Sequence, residues 1–123
     1  MRIVFVFFSL VFATAVFAQT PDTTAKCPCD YPTLVFKTGP SLNNDMKSML
    51  SSVAAKLKGF PFCNIIFVGY PGTSKHEMAL CQVRLANIKR YFTETAGISS
   101  DRIVTNSELG RGDKNSIDIK CDQ

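Results

Sequence analysis

The stretch Ile65-Ile66-Phe67-Val68-Gly69-Tyr70-Pro71-Gly72, leading through Thr73 to Ala79 into Leu80-Cys81-Gln82-Val83-Arg84-Leu85-Ala86-Asn87-Ile88-Lys89-Arg90-Tyr91-Phe92, decides the fold of this 123-residue chain. Its first part belongs to a continuous apolar run, Phe62 to Tyr70, of the length and character of a central strand buried on both faces. The glycines and proline then turn the chain into a helix expected from about Ser74 to Ala96 and stopped by Gly97. On it Leu80, Val83, Ile88, Tyr91 and Phe92 recur at three- and four-residue steps, which gives an apolar face that packs on a sheet. Arg84 adjoins that face near its N-terminal end.

Working outward, Thr33 to Lys37 is a short β-rich run closed by Gly39-Pro40 and reads as a first strand. Asn43-Asn44-Asp45 offers capping side chains ahead of Met46, Met49, Leu50, Val53 and Leu57, a helical series that Gly59 ends. Arg102 to Asn106 reads as a third strand. From Asn115 to Cys121 the residues Ile117, Ile119 and Cys121 alternate with Ser116, Asp118 and Lys120, the pattern of a half-buried strand. The order is β-α-β-α-β-β. Each amphipathic helix has one face to bury, so the expected fold is a two-layer α/β (α+β) sandwich with both helices on one face of a mixed four-stranded sheet.

The residues around the second helix resemble the OmpA-like C-terminal domain, a peptidoglycan-binding family marked by a Gly-His-Thr-Asp turn and a following Leu-Ser-x-x-Arg-Ala-x-x-Val-x-x-Tyr-Leu helix. Leu80, Arg84, Ile88, Tyr91 and Phe92 match that helix in place, with Leu85 where the family has alanine. Gly97-Ile98-Ser99-Ser100-Asp101-Arg102-Ile103 is similar to the family's link to its third strand, and Leu34 to Gly39 followed by Leu42 is similar to its opening strand and turn. The likeness covers about Thr33 to Lys120. It implies strand order 1-4-2-3, with the last strand antiparallel to the others. It also implies a site in which an arginine and an aspartate grip the zwitterionic end of diaminopimelate in a peptidoglycan stem peptide. Here Gly69-Tyr70-Pro71-Gly72 places Gly72 where that aspartate stands, so the acidic half is missing from its position. One lost charge-assisted hydrogen bond is worth on the order of 1.5–3 kcal/mol.

The candidate ligand-binding residues are therefore Arg84, which can present a fork to a carboxylate, and the turn and helix start, with Gly72, Thr73, Tyr70, Lys75 and Glu77. Backbone amides at the helix start favour an anion, and Glu77, Thr73 or Tyr70 could compensate for the absent aspartate. The competing reading of Arg84 is a structural arginine with its stem packed on the sheet. Accordingly two functions stand: noncovalent peptidoglycan binding, or an OmpA-like fold without it, acting as a disulfide-stabilised structural or protein-interaction module, with envelope proteins as partners.

Five cysteines, Cys27, Cys29, Cys63, Cys81 and Cys121, in a chain with an export signal point to disulfides. In the implied topology the start of strand one, the start of strand two and the end of the last strand share one end of the sheet. Cys63 and Cys121 are then bridged, to one another or to Cys27 and Cys29, and Cys81 on the second helix is a free, partly buried thiol. The single residue between Cys27 and Cys29 does not fit zinc spacing, and no metal site is expected.

Residues 1–18 read as a secretory signal peptide, with Arg2 as the positive flank, Ile3 to Phe12 as the apolar region and Val16-Phe17-Ala18 as the cleavage box. Residues 19–32 read as a tether and 33–123 as the domain. The expected location is the periplasm or cell envelope, with release to the exterior also compatible, and no membrane span is expected after cleavage. Losing Arg2 lowers the net charge from +4 to about +3, too mild and unclustered for nucleic acid. His76 is the only histidine, no Gly-x-Ser-x-Gly occurs and the acids are scattered, so neither an enzyme active site nor a cofactor is expected.

Overall fold

The computed structural model describes residues 27–122; the expected leader, residues 1–18, and the first part of the tether, 19–26, lie outside them. Six regular elements follow in order: β1 (Leu34–Val35), α1 (Asn44–Lys58), β2 (Asn64–Gly69), α2 (Lys75–Arg90), β3 (Ile103–Ser107) and β4 (Ser116–Asp122). They form one mixed sheet of order β1-β4-β2-β3. β4 runs antiparallel to both β1 and β2, pairing Leu34 with Ile117 and Phe67 with Ile119, whereas β3 runs parallel to β2, with Ile65 opposite Ile103.

This register puts Leu34, Ile65, Phe67, Ile103, Ile117 and Ile119 on one face. They form a single buried cluster with Met46, Leu50, Val53 and Leu57 of α1 and Cys81, Leu85, Ile88 and Phe92 from the second helical segment. One shared cluster means that both helices cover the same face of the sheet. Phe67 and Phe92 meet edge to face there, with ring centroids 5.4 Å apart, the preferred geometry of aromatic pairs.

Two side chains set the ends of α1. Asn43 accepts the Met46 N–H at 2.8 Å as its cap. At the other end Arg102 donates through Nη2 to the carbonyls of Leu57, Phe60 and Cys63 at 2.8, 2.7 and 2.8 Å, joining the Phe60 and Cys63 N–H groups that donate to the first two. Because Arg102 closes a 3₁₀ turn immediately before β3, this one guanidinium fastens the end of α1 and the entry to β2 beside the entry to β3.

The second helix differs from the sequence expectation in two ways. It changes at Tyr91–Thr95 to a π-helical turn, and Gly97, at φ 77°, lets the Ile98 N–H return to the Phe92 carbonyl at 3.1 Å. Its buried row is also rotated: Cys81, Arg84, Leu85, Ile88 and Phe92 point inward, Leu80 is half-buried, and Val83 is 46% exposed. Gly69 is the reason. A Cβ there would fall on Cys81 Sγ and within 3.5 Å of Leu85, so the missing side chain lets the helix seat these two residues against β2.

β1 is shorter than the expected Thr33 to Lys37, although the Phe36 N–H still donates to Asn115 O at 2.8 Å. β2 is trimmed to Asn64–Gly69, and β3 and β4 start one residue later than expected. Cys27 is bridged to Cys63 and Cys29 to Cys121, with Cα atoms 5.6 and 5.1 Å apart, while Cys81 is a free buried thiol. Cys27 and Cys29, in the stretch expected to be a tether, are thus both fixed to one end of the sheet, beside the start of β2 and the end of β4. Among the described residues no helix is long and apolar enough to cross a membrane.

Candidate functional site

Arg84 is buried, 3% exposed, just past the middle of α2. Its Nε donates to Gly39 O at 2.9 Å, and its Nη1 donates to Lys114 O at 3.4 Å and Asn115 Oδ1 at 3.2 Å. Gly39 reaches Arg84 through a turn at φ 65°, a conformation open to glycine. One turn along α2, Asn87 Nδ2 donates to Pro40 O at 2.9 Å. The guanidinium also lies 4.6 Å from the centroid of the Phe36 ring, within cation–π range.

Every acceptor here is neutral. Among the described residues no carboxylate lies within ion-pair distance of Arg84, and burial pushes its guanidinium below the ordinary value, against a small opposing effect from Cys81. Nη2 has no hydrogen-bond partner among the described residues, yet no buried side-chain polar atom is left unpaired. That nitrogen is therefore not fully buried, and Arg84 is one of the residues that line a cleft.

The cleft is about 190 Å³ and is bounded by His76, Glu77, Leu80, Arg84, Lys114 and Asn115. Ser74 starts the helix by accepting the Glu77 N–H at 3.1 Å, and Glu77 turns its carboxylate back over the preceding turn. A Cβ built on Gly72 would collide with Glu77 Oε2 and stand 2.5 Å from its Cδ. The carboxylate of Glu77 thus fills the space that a side chain at position 72 would take. Lys114 Nζ pairs with its Oε1 at 3.3 Å, and this hydrogen bond and charge hold the carboxyl below its ordinary pKa.

Of the residues singled out in the sequence, Arg84 and Glu77 line this cleft, Gly72 leaves the room that Glu77 fills, and Lys75, the first residue of α2, is not part of the lining. Thr73 is exposed in the turn. Tyr70 lies elsewhere: its hydroxyl donates to Asp118 Oδ2 at 2.6 Å, on the face of the sheet turned away from the helices, and its ring covers Gly112. The Asp118 hydrogen bond, with burial and nearby charge, pushes the Tyr70 phenol up to about 12. Free Cys81 is raised by burial, so it stays a neutral thiol.

The sequence reading missed Lys114, Asn115, Gly39 and Phe36. Their involvement comes from loops brought to α2 by the sheet, and no local pattern marks them. Among the described residues no cluster of metal-binding side chains occurs.

No family model matches the sequence, and no curated protein does. Solved structures do resemble the fold. The C-terminal domain of MotB from Helicobacter pylori superimposes with a TM-score of 0.60 at 14% identity, over 76% of this chain and 86% of that one. The peptidoglycan-associated lipoprotein from Burkholderia pseudomallei gives 0.60 at 21% identity, over 73% and 89%. The OmpA-like domain of FopA1 from Francisella tularensis gives 0.56 at 15%, over 73% and 72%.

Proposed function

We propose that this chain, which carries the OmpA-like fold, is an exported cell-envelope module that binds a peptidoglycan stem peptide noncovalently in the cleft beside Arg84. The observation that supports this most is a buried cation on a residue that lines the cleft, held only by neutral acceptors and with one guanidinium nitrogen left without a partner among the described residues. Burying a charge is costly unless it is paired, and an incoming carboxylate supplies the missing charge. Glu77, seated in the space of a side chain at position 72, supplies the acidic group for a ligand ammonium. One structural neighbour is named for its association with peptidoglycan, in keeping with this reading.

Three hydrogen bonds and the Phe36 contact also make Arg84 a clasp between α2 and the two loops at Gly39 and Lys114. That favours, as a second reading, an OmpA-like fold kept as a disulfide-stabilised structural or protein-interaction module. Co-sedimentation with purified sacculi separates the two. The first reading expects the wild type to pellet with sacculi and Glu77→Gln, a change at a half-buried side chain that leaves the clasp intact, to pellet severalfold less. A wild type that stays in the supernatant at every salt concentration defeats it and leaves the second.

A further inference from the structure

Lys114 touches both halves of the cleft. Its carbonyl accepts from Arg84 Nη1, which fixes its backbone, while its side chain, 59% exposed, reaches over to pair with Glu77. The ammonium of Lys114 therefore sits where a ligand ammonium would have to bind. With this pair formed, the lining sets the Arg84 and Lys114 cations against the single carboxylate of Glu77, an excess of one positive charge among these three. Such a lining is matched by a ligand group that brings a single negative charge. Nothing in the fold requires the pair: Lys114 lies in the loop between β3 and β4, and its side chain can leave without disturbing the Arg84 clasp, which uses only its carbonyl.

We propose that Lys114 determines which kind of peptide end the cleft accepts. It occupies the ammonium position on Glu77, so a carboxylate with no ammonium beside it, such as a peptide C-terminus, enters freely. A zwitterionic amino-acid end must first push Lys114 aside. This inference rests on the cleft being the ligand site, as proposed above. The penalty on the zwitterion is modest, because an exposed ion pair contributes little, and the corresponding change in affinity is up to about fivefold.

The test is a titration followed by NMR, using meso-diaminopimelate as the zwitterionic probe and N-acetyl-D-alanine as the carboxylate probe, against wild type, Lys114→Met and Glu77→Gln/Lys114→Met. Sacculus co-sedimentation is run in parallel. Lys114→Met is expected to tighten diaminopimelate two- to fivefold and to weaken N-acetyl-D-alanine, shifting the ratio of the two. In the double variant the gain for diaminopimelate disappears, since no carboxylate remains to receive the ammonium. A Lys114→Met protein that binds both probes with the wild-type ratio, while the wild type still pellets with sacculi, overturns this inference and leaves the wall-binding reading standing. Neither probe binding, with no pelleting, overturns both.

Discussion

Replacing Arg84 by methionine isolates what the guanidinium does for the fold. Methionine keeps much of the apolar stem but removes the charge and the donors to Gly39 O, Lys114 O and Asn115 Oδ1, together with the Phe36 ring contact at 4.6 Å. Hydrogen bonds from a charged group contribute on the order of 1.5–3 kcal/mol each when measured singly, and they are not additive. Two effects reduce the sum: water in the adjoining cleft can serve some of the freed acceptors, and the cost of burying a cation vanishes. The net loss is expected at about 2–4 kcal/mol. For a domain of roughly 100 residues, that lowers the melting temperature by about 8 °C or more. Thermal unfolding followed by circular dichroism measures it. A drop below about 3 °C would refute the clasp, since the two loops would then be held without Arg84.

Three other expectations follow from the packing. Arg102→Ala removes the charged donor shared by the carbonyls of Leu57, Phe60 and Cys63, the first two of which keep a backbone N–H partner, and should cost about 2–3 kcal/mol in urea unfolding, against little change for the exposed Lys56→Ala. Removing the Cys29–Cys121 bridge, which closes a separation of 92 residues, should destabilise by up to about 4.6 kcal/mol, and removing Cys27–Cys63, across 36, by up to about 4 kcal/mol; denaturant curves of the paired serine variants report both. Tyr70, whose phenol is raised to about 12 by Asp118, favours the folded state below the unfolded phenol value of about 10 and loses that contribution as pH rises from there toward 12. Tyr31 is also raised, by burial, so ultraviolet titration should show more than one late-ionising tyrosine, and Tyr70→Phe should remove the one that ionises toward 12, with a flatter loss of stability in that window.

Much of the scaffold was legible because it is written in local patterns. The apolar run of β2, the Asn43 cap and the Met46 to Leu57 series report their own burial, and the order of elements limits the sheet to few arrangements. Strand order came from the resemblance, since pairing partners as distant as Leu34 and Ile117 leave no local trace. The inward face of α2 was misread because the row that packs contains an arginine and two small or mid-sized residues, Cys81 and Leu85, admitted by a glycine on another element. Apolar counting favours Val83 over Arg84, whereas the acceptors waiting at Gly39 and Asn115 reverse that preference.

The site was legible at Arg84 and only partly beyond it. Gly72 read as the loss of an acidic group, and the space it vacates turns out to hold the carboxylate of Glu77, five positions onward. Sequence alignment by position cannot show such a substitution in space. Lys114 was invisible for a simpler reason: a single lysine in a glycine-rich turn has no pattern, and only the return of β4 beside α2 brings it to the cleft.

A crystal structure of the protein with a peptidoglycan stem peptide tests the central claim most directly. The account predicts a ligand carboxylate within about 3.2 Å of Arg84 Nη2, its three internal hydrogen bonds unchanged. A peptide bound on any other face, or Nη2 covered by one of the protein's own acids while the peptide stays in solution, would contradict it.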